Sequence, residues 1–475
     1  MASTATNSPL HVLLFPWPAF GHIGPFLQLA CKLSTTGGAA IRISFLSIAG
    51  NIPRIATLLP SDHSISIIPL DLPRVPGLTD DATSTADMTP AAAELLKLAV
   101  DLTKPQVESL LRHLRPHFVF FDFAMQWLPS LAHSLGIKSL HFSIFATICT
   151  AYNIVPSRRL HGPNPSVDDL KNPPDGFPST SSVSTIPSYQ ATDLLYLFKR
   201  FHNGPCVYDR VVACLEGCTA VVAKTCMELE GQYIDYVDSQ FQKPFLLAGP
   251  LVPEPPSGKL EERWARWLDG FSEESVVFCS FGSETFLSDE GVKELVLGLE
   301  MTGLPFFVVL NFPKDSEGRE EGEEELRRKL PEGFGERVKG RGVLHTGWVQ
   351  QQHILRHKSV GCFVCHAGLS SVIEGVVAGC QLVMLPQKGD QYLNAALFAR
   401  DLEIGVEVER REEDGVFGRE GLCKAVRKVM TEAGEESGRR VRANHRKLKD
   451  FLMDKEVQAK FMRDFLGNLK ELAIT

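Results

Sequence analysis

The chain has no excess of positive charge: 49 Lys and Arg stand against 57 Asp and Glu, a formal net charge of −8. That balance argues against a polyanionic partner such as nucleic acid. No apolar run approaches the ~18 residues of a membrane span. The opening, MASTATNSPL, lacks the basic start and apolar stretch of a secretory leader, so a cytoplasmic protein is expected. No Gly-x-Gly-x-x-Gly follows the first strand-like segment, where GHIGP stands instead, which disfavours a dinucleotide oxidoreductase. There is no low-complexity tract, no short repeat and no Asp-rich metal motif. Chemistry without a metal or other cofactor is therefore expected.

Cysteine is present, 11 residues, but not in a metal-binding or disulfide pattern. Cys362 and Cys365 form a Cys-x-x-Cys inside a strand-like segment, where a three-residue offset places the thiols on opposite faces. Cys214 and Cys218 lie close together as well. Buried free thiols in a reducing compartment fit better than zinc or disulfides.

At 475 residues the chain is too long for one ordinary core, so two domains are expected. Hydrophobic residues make up 44% and charged residues 22%, which fits a soluble globular class. Strand-like runs occur at 11–16, 41–47, 64–72, 118–122, 138–145 and 219–224. A second series follows at 275–280, 305–310, 343–347, 361–365, 381–385 and 405–409. Helical patterns intervene: Phe26, Leu29, Ala30 and Leu33 recur at helical spacing, Pro25 suits a first helical turn, and 91–114 reads as helix. Between the series, GPLVPEPPSG (249–258) carries four prolines among ten residues and reads as an extended linker. The helix-prone acidic stretch EGREEGEEELRRK reads as a solvated face or loop. The whole pattern predicts an α/β chain of two doubly wound, Rossmann-like domains facing a cleft.

The most informative stretch is 348–391. A strand, a turn of small residues (366–371) and a helix are followed by a second strand and a polar loop ending in Asp390-Gln391. Both polar clusters fall at the carboxyl ends of parallel strands, where open α/β sheets bind ligands. Gly368, Ser370 and Ser371 let an anion approach N–H groups at a helix start. Glu374, one turn on, suits a ribose diol; Trp348 offers a flat face to a base; Asp390 and Gln391 suit sugar hydroxyls. The order of groups suggests a nucleotide sugar. His22 sits in the turn between first strand and helix, and Asp122 ends a strongly apolar strand, where a carboxylate is costly to bury unpaired. Asp122 also suits a helix N-cap.

The 348–391 stretch resembles the signature box of plant UDP-dependent glycosyltransferases (family 1). Matching positions are Trp348, Gln351, His366, Gly368, Ser371, Glu374, Pro386, Asp390 and Gln391. Leu369 and Ser370 depart from the usual Trp and Asn, and Leu369 cannot donate a hydrogen bond to the sugar. The resemblance implies a GT-B fold, with 1–248 binding the acceptor, 249–258 linking, 259–455 binding UDP-sugar and 456–475 packing back on the first domain. It implies uracil on Trp348, ribose on Glu374, diphosphate on His366 and Ser371, and donor sugar on Asp390 and Gln391. Val349, Ser283 and Thr285 join the donor side, and Ser143 is a further possible sugar contact. GHIGP matches the family's Gly-His-x-x-Pro, which makes His22 the base and Asp122 its partner. The segment 153–187, rich in Pro, Ser, Gly and Asp, is then expected to be a wall of the acceptor pocket rather than a mobile loop.

The expected reaction is inverting transfer of a hexose, foremost glucose, from UDP to a small plant metabolite. SFGSETFLSDE, TGLPFFVVLNFP, TGWVQQQ and VMLPQKGDQYLN resemble the branch that extends sugars already on flavonoids or anthocyanins. A hydroxyl on the sugar of a flavonoid 3-O-glycoside is thus the expected acceptor. Alternatives are a flavonoid or terpenoid aglycone as acceptor, and rhamnosyl, xylosyl or galactosyl donors. An inactive UDP-sugar binder and a sugar-nucleotide epimerase are the readings from other classes.

Overall fold

The computed structural model describes residues 9–60, 63–79, 83–85, 88, 90–160, 162–312, 322–432 and 436–474. Seven strands form the first sheet: β1 (Leu10–Phe15), β2 (Ile41–Ile48), β3 (Ile65–Leu70), β4 (Phe118–Phe121), β5 (Lys138–Ser143), β6 (Ala220–Ala223) and β7 (Phe245–Leu247). Six form the second: β8 (Val276–Ser280), β9 (Phe306–Val309), β10 (Gly342–His345), β11 (Val360–Cys365), β12 (Gln381–Met384) and β13 (Gly405–Glu407). The orders are β3-β2-β1-β4-β5-β6-β7 and β10-β9-β8-β11-β12-β13. Every pairing within either sheet is parallel.

The central strands β1, β4, β8 and β11 are buried along their whole length. Their sequences, apolar except for His11 in β1 and Ser280 at the end of β8, are what a parallel sheet covered on both faces requires. Along β11, Phe363 and Cys365 enter one core cluster, whereas Cys362 and Val364 enter another. The two thiols therefore face opposite ways, and all 11 cysteines are free. One cluster joins Phe15 and Phe121 of the first sheet to Phe278 and Phe363 of the second, so apolar contact continues from one half into the other. Among the described residues no helix is long and apolar enough to cross a membrane.

Each sheet reverses its winding beside its first strand. β1 lies between β2 and β4, and β8 lies between β9 and β11. Strand ends diverge at such a switch point and leave a crevice for ligands. The two crevices belong to β1/β4 and to β8/β11.

The last helix, Lys455–Ile474, returns to the first sheet. Met462, Phe465, Leu466 and Leu469 join the cluster that holds Ile23, Phe26 and Phe120. The ring of Phe465 meets Phe120 edge-on at 6.3 Å. Gly249 passes beneath this helix with φ +73°, and a Cβ there would stand 2.8 Å from the Phe461 ring. Both the dihedral and the close approach require glycine.

Several sequence expectations need correction. The first helix spans Phe20–Gly37, so Pro25 lies inside it and His22 lies in its first turn rather than in a preceding loop. Ala19 starts the helix early because its carbonyl accepts from the N–H groups of His22 and Ile23, at 2.9 and 2.8 Å. The single helix expected at 91–114 is two, Pro90–Leu102 and Lys104–Leu114, interrupted just before Pro105, which lacks the N–H to continue the ladder. β5 stops at Ser143, and the short β7 escaped notice because three residues carry no periodicity. Segment 153–187 is pinned by Arg158, 8% exposed, whose guanidinium donates to the carbonyls of Tyr152, Asp169 and Asn172. The acidic stretch is as expected where it is described: Gly322–Lys329 is a helix with its glutamates facing outward or partly so, while 317–321 lie outside the described residues.

Phe465 is fully buried. Phe465→Ala should therefore cost roughly 3–5 kcal/mol of stability and lower the thermal midpoint. An unchanged midpoint in calorimetry would show that the last helix does not belong to the first domain's core.

Candidate active site

The β1/β4 crevice holds His22 and Asp122. Asp122, 1% exposed, follows the last residue of β4, and its Oδ2 accepts from His22 Nδ1 at 2.8 Å. The same oxygen accepts from the Trp17 N–H at 3.0 Å, and Oδ1 accepts from the Phe123 N–H at 2.8 Å. Burial would push this carboxyl up, but the facing imidazole and the two backbone N–H groups outweigh it and hold the group below its ordinary range. The carboxylate orients the ring and keeps the proton on Nδ1, leaving the Nε2 lone pair to take another. Phe123 and Phe145 flank the imidazole with ring centroids at 5.4 and 5.5 Å. Asp122 is thus a buried partner of His22 rather than a helix cap. Ser143, at the end of β5, donates to the Phe145 carbonyl at 3.4 Å.

The β8/β11 crevice is built from two glycine loops around His366. A Cβ on Gly368 would stand 2.6 Å from His366 Nε2, and one on Gly282 (φ +74°) would stand 3.3 Å from its Cε1. Only glycine admits the ring between the loops. His366 Nδ1 is buried with no hydrogen-bond partner. Burial, aided by the charge of Lys388, draws the His366 pKa down to about 4, so the ring is neutral near pH 7. The helix Leu369–Ala378 starts here without a side-chain cap, so its first-turn N–H groups are available to an anion. Ser370 and Ser371 lie in that turn, and Leu369 is 9% exposed.

One turn on, Glu374 accepts from Gln351 Nε2 at 2.8 Å and from Gln352 Nε2 at 3.1 Å. Burial raises its carboxyl, against those hydrogen bonds and the charge of Lys224. Trp348 is 72% exposed, whereas Val349 beside it is buried. Asp390 and Gln391 open the helix Asp390–Ala396 after β12. Burial raises the Asp390 carboxyl, opposed by the Asn394 amide and then by the charges of His22 and Lys388. His22 and Asp390 therefore lie within electrostatic reach across the two sheets. Gln391 Oε1 accepts from the N–H groups of Gln387 and Lys388, at 2.9 and 3.2 Å, and its Nε2 donates to Thr285 Oγ1 at 3.3 Å. In this structure Gln391 and Thr285 brace the 386–389 loop, and Ser283 is exposed nearby.

Several hydrogen bonds close the cleft. Thr85 Oγ1 donates to Glu284 Oε1 at 2.8 Å, and the Gly389 N–H donates to Asp193 Oδ2 at 2.6 Å. Cys149 Sγ lies 3.4 Å from Asn394 Oδ1. Lys224, just past β6, donates from Nζ to Ser370 Oγ at 2.7 Å. Sequence reasoning missed Lys224 and Gln352. A lysine after Ala-Val-Val-Ala looks like a strand end in solvent, and the neighbouring Gln351 drew attention away from Gln352.

Residues 221–437 match the family described as UDP-glucoronosyl and UDP-glucosyl transferase. An anthocyanidin-3-O-glucoside rhamnosyltransferase of Petunia hybrida is 54% identical over 469 residues, covering 98% of each chain. The chain belongs to the UDP-glycosyltransferase family. An anthocyanidin 3-O-glucoside 2''-O-glucosyltransferase of Ipomoea purpurea is 40% identical, over 99% of this glycosyltransferase and 100% of that protein. In fold the enzyme is GT-B. The crystal structure of Glycyrrhiza uralensis UGT73P12 complexed with glycyrrhetinic acid 3-O-monoglucuronide superposes with a TM-score of 0.77 at 22% identity, covering 98% of this chain and 96% of that one.

His11, His141, His366 and His445 each have a pKa drawn to about 4, foremost by burial. These rings therefore bind fewer protons in the folded state than in the unfolded chain between pH about 6.5 and 4, and each contributes a loss of stability as pH drops, opposed by buried carboxyls such as Glu230, raised to about 7. His445→Asn removes one such contribution, so its thermal midpoint should fall less than that of the wild type as pH drops from about 7 to 4.5. An identical pH dependence in the two proteins would contradict the neutral, buried state of that ring.

Proposed function

We propose that the enzyme transfers a sugar from UDP to a hydroxyl of the sugar already carried by a flavonoid or anthocyanidin 3-O-glycoside. The observation that carries this reading is the His22–Asp122 pair at 2.8 Å in one crevice, within electrostatic reach of Asp390 in the other. The names of the Petunia and Ipomoea relatives support the glycoside acceptor.

In this reading residues 1–248 bind the acceptor, 249–258 link, 259–455 bind the donor and 456–475 return to the acceptor side. Trp348 stacks on uracil beside Val349, with Gln351 bracing the ribose contact of Glu374. The diphosphate lies on His366, Ser371, Ser283 and the first turn of Leu369–Ala378. His22 Nε2 takes the acceptor proton as the acceptor oxygen bonds to the anomeric carbon; the bond to the phosphate oxygen breaks and UDP leaves. Attack opposite to the leaving group inverts the anomeric configuration. Pre-aimed donors at the leaving oxygen supply several kcal/mol, ~3–4 for one well-placed donor in other enzymes. Catalysis needs no metal, so chelation should leave turnover unchanged. Eleven free thiols support a reducing, cytoplasmic location.

Glucose is the first donor in this reading. Rhamnose is the second, favoured by a specific feature: Leu369, apolar and 9% exposed, suits the methyl of a 6-deoxy sugar better than a hydroxymethyl. The Petunia relative's name points the same way.

The test is an assay of UDP-glucose and UDP-rhamnose against flavonol or anthocyanidin 3-O-glycosides and the corresponding aglycones, with linkage analysis. Product on the glycosides, of inverted configuration, is expected. Product from aglycones alone overturns the acceptor. His22→Ala should reduce turnover by about 10²–10⁴ while UDP still binds; wild-type turnover in that variant removes His22 as the base.

A further inference from the structure

Lys224 is 3% exposed, yet it carries an ammonium group. Its hydrogen bond goes to a neutral hydroxyl, Ser370 Oγ, at 2.7 Å. The carboxylate that acts on it is Glu374, on the same helix as Ser370 and already held by Gln351 and Gln352. Among the described residues Lys224 forms no ion pair. A buried cation without a contacting anion is costly, and burial draws its pKa down to about 8. Its setting adds to the cost, because Ser370 lies in the first turn of Leu369–Ala378, the positive end of that helix dipole. Two positive elements from different sheets thus converge, and an anion between them would relieve both. An ammonium has three N–H donors, of which Ser370 takes one.

We propose that Lys224 is a donor-binding residue, which crosses the cleft from the acceptor-side sheet to place a positive charge on the diphosphate of the UDP-sugar. The proposal rests on the donor reading above and adds a contact from the opposite domain. The shortness of Ser370 matters, since a hydroxymethyl leaves room for the lysine to reach the helix start. Because Lys224 comes from the other domain, the diphosphate meets its full set of positive groups only when the cleft is closed. As UDP leaves, the same ammonium lies against the charge that develops on the leaving oxygens.

The rival role is a strut that holds the domains together, and the two differ in sign. Lys224→Met removes the charge, and Lys224→Gln removes it while keeping a hydrogen bond to Ser370. Affinities for UDP and for uridine, measured by calorimetry, are compared with the melting midpoint of the unliganded protein. The expected result for both variants is a UDP affinity about tenfold lower or worse, an unchanged uridine affinity, and a midpoint equal to or above wild type. UDP affinity at the wild-type level overturns the proposal. So does a parallel loss of UDP and uridine binding, or a lowered midpoint with Lys224→Gln matching wild type. If the wild-type protein binds neither UDP nor uridine, the donor reading itself fails, and this contact with it.

Discussion

Both sheets are parallel and their central strands are buried on both faces, so polar groups along them, such as His11 of β1, are sealed from any ligand, and ligand-directed polar chemistry has no place there. It is confined to the strand ends, and the winding reversals at β1/β4 and β8/β11 decide which ends diverge enough to admit a ligand. The two halves bring these crevices together over continuous apolar packing that runs from Phe121 to Phe363. His22, Asp122, His366 and Gly368 all lie just beyond the last residue of one of those strands or in the helix turn that follows. The site is a consequence of where the sheets change direction.

The two crevices treat their histidines differently. His22 has a buried carboxylate on Nδ1, so a proton gained at Nε2 would create an imidazolium with its counter-charge 2.8 Å away. His366 has no such partner; burial and Lys388 keep it neutral. A neutral ring has one N–H to donate, and in the proposed reaction that donor would serve the diphosphate. Environment alone sets the two imidazoles apart, one paired with a buried carboxylate and the other with its buried Nδ1 unpartnered.

Much of this was legible in the sequence. Twelve of the thirteen strands are foreshadowed by apolar runs, because buried parallel strands leave continuous hydrophobic segments. The missing one, Phe245–Leu247, is three residues long. The pairing of His22 with Asp122, 100 residues apart, was accessible only through resemblance, since no local pattern encodes contact between strands β1 and β4. Gln391 shows the opposite case. Its place in the box suggests a sugar ligand, but its amide is also the brace of the loop 386–389, a contact that depends on the loop's fold. Lys224 was invisible for a related reason: its partner Ser370 lies beyond a strand of the other sheet, 146 residues away, and only the tertiary fold brings the two together.

Dividing the site between two domains has a consequence for specificity of reaction. A UDP-sugar bound to an open half faces water, and water can attack the anomeric carbon as well as an acceptor can. Bonds such as Thr85 to Glu284, Gly389 to Asp193 and Lys224 to Ser370 join opposite walls of the cleft, and excluding water from such a site would strengthen every electrostatic contact within it. His22 lies between the rings of Phe123 and Phe145, an apolar and aromatic surround. In the proposed reaction base and leaving group act on the same sugar, so both walls must be in place at once. That coupling is stronger if Lys224 contributes charge from the wall that also carries His22, because acceptor binding and leaving-group stabilisation then depend on one movement.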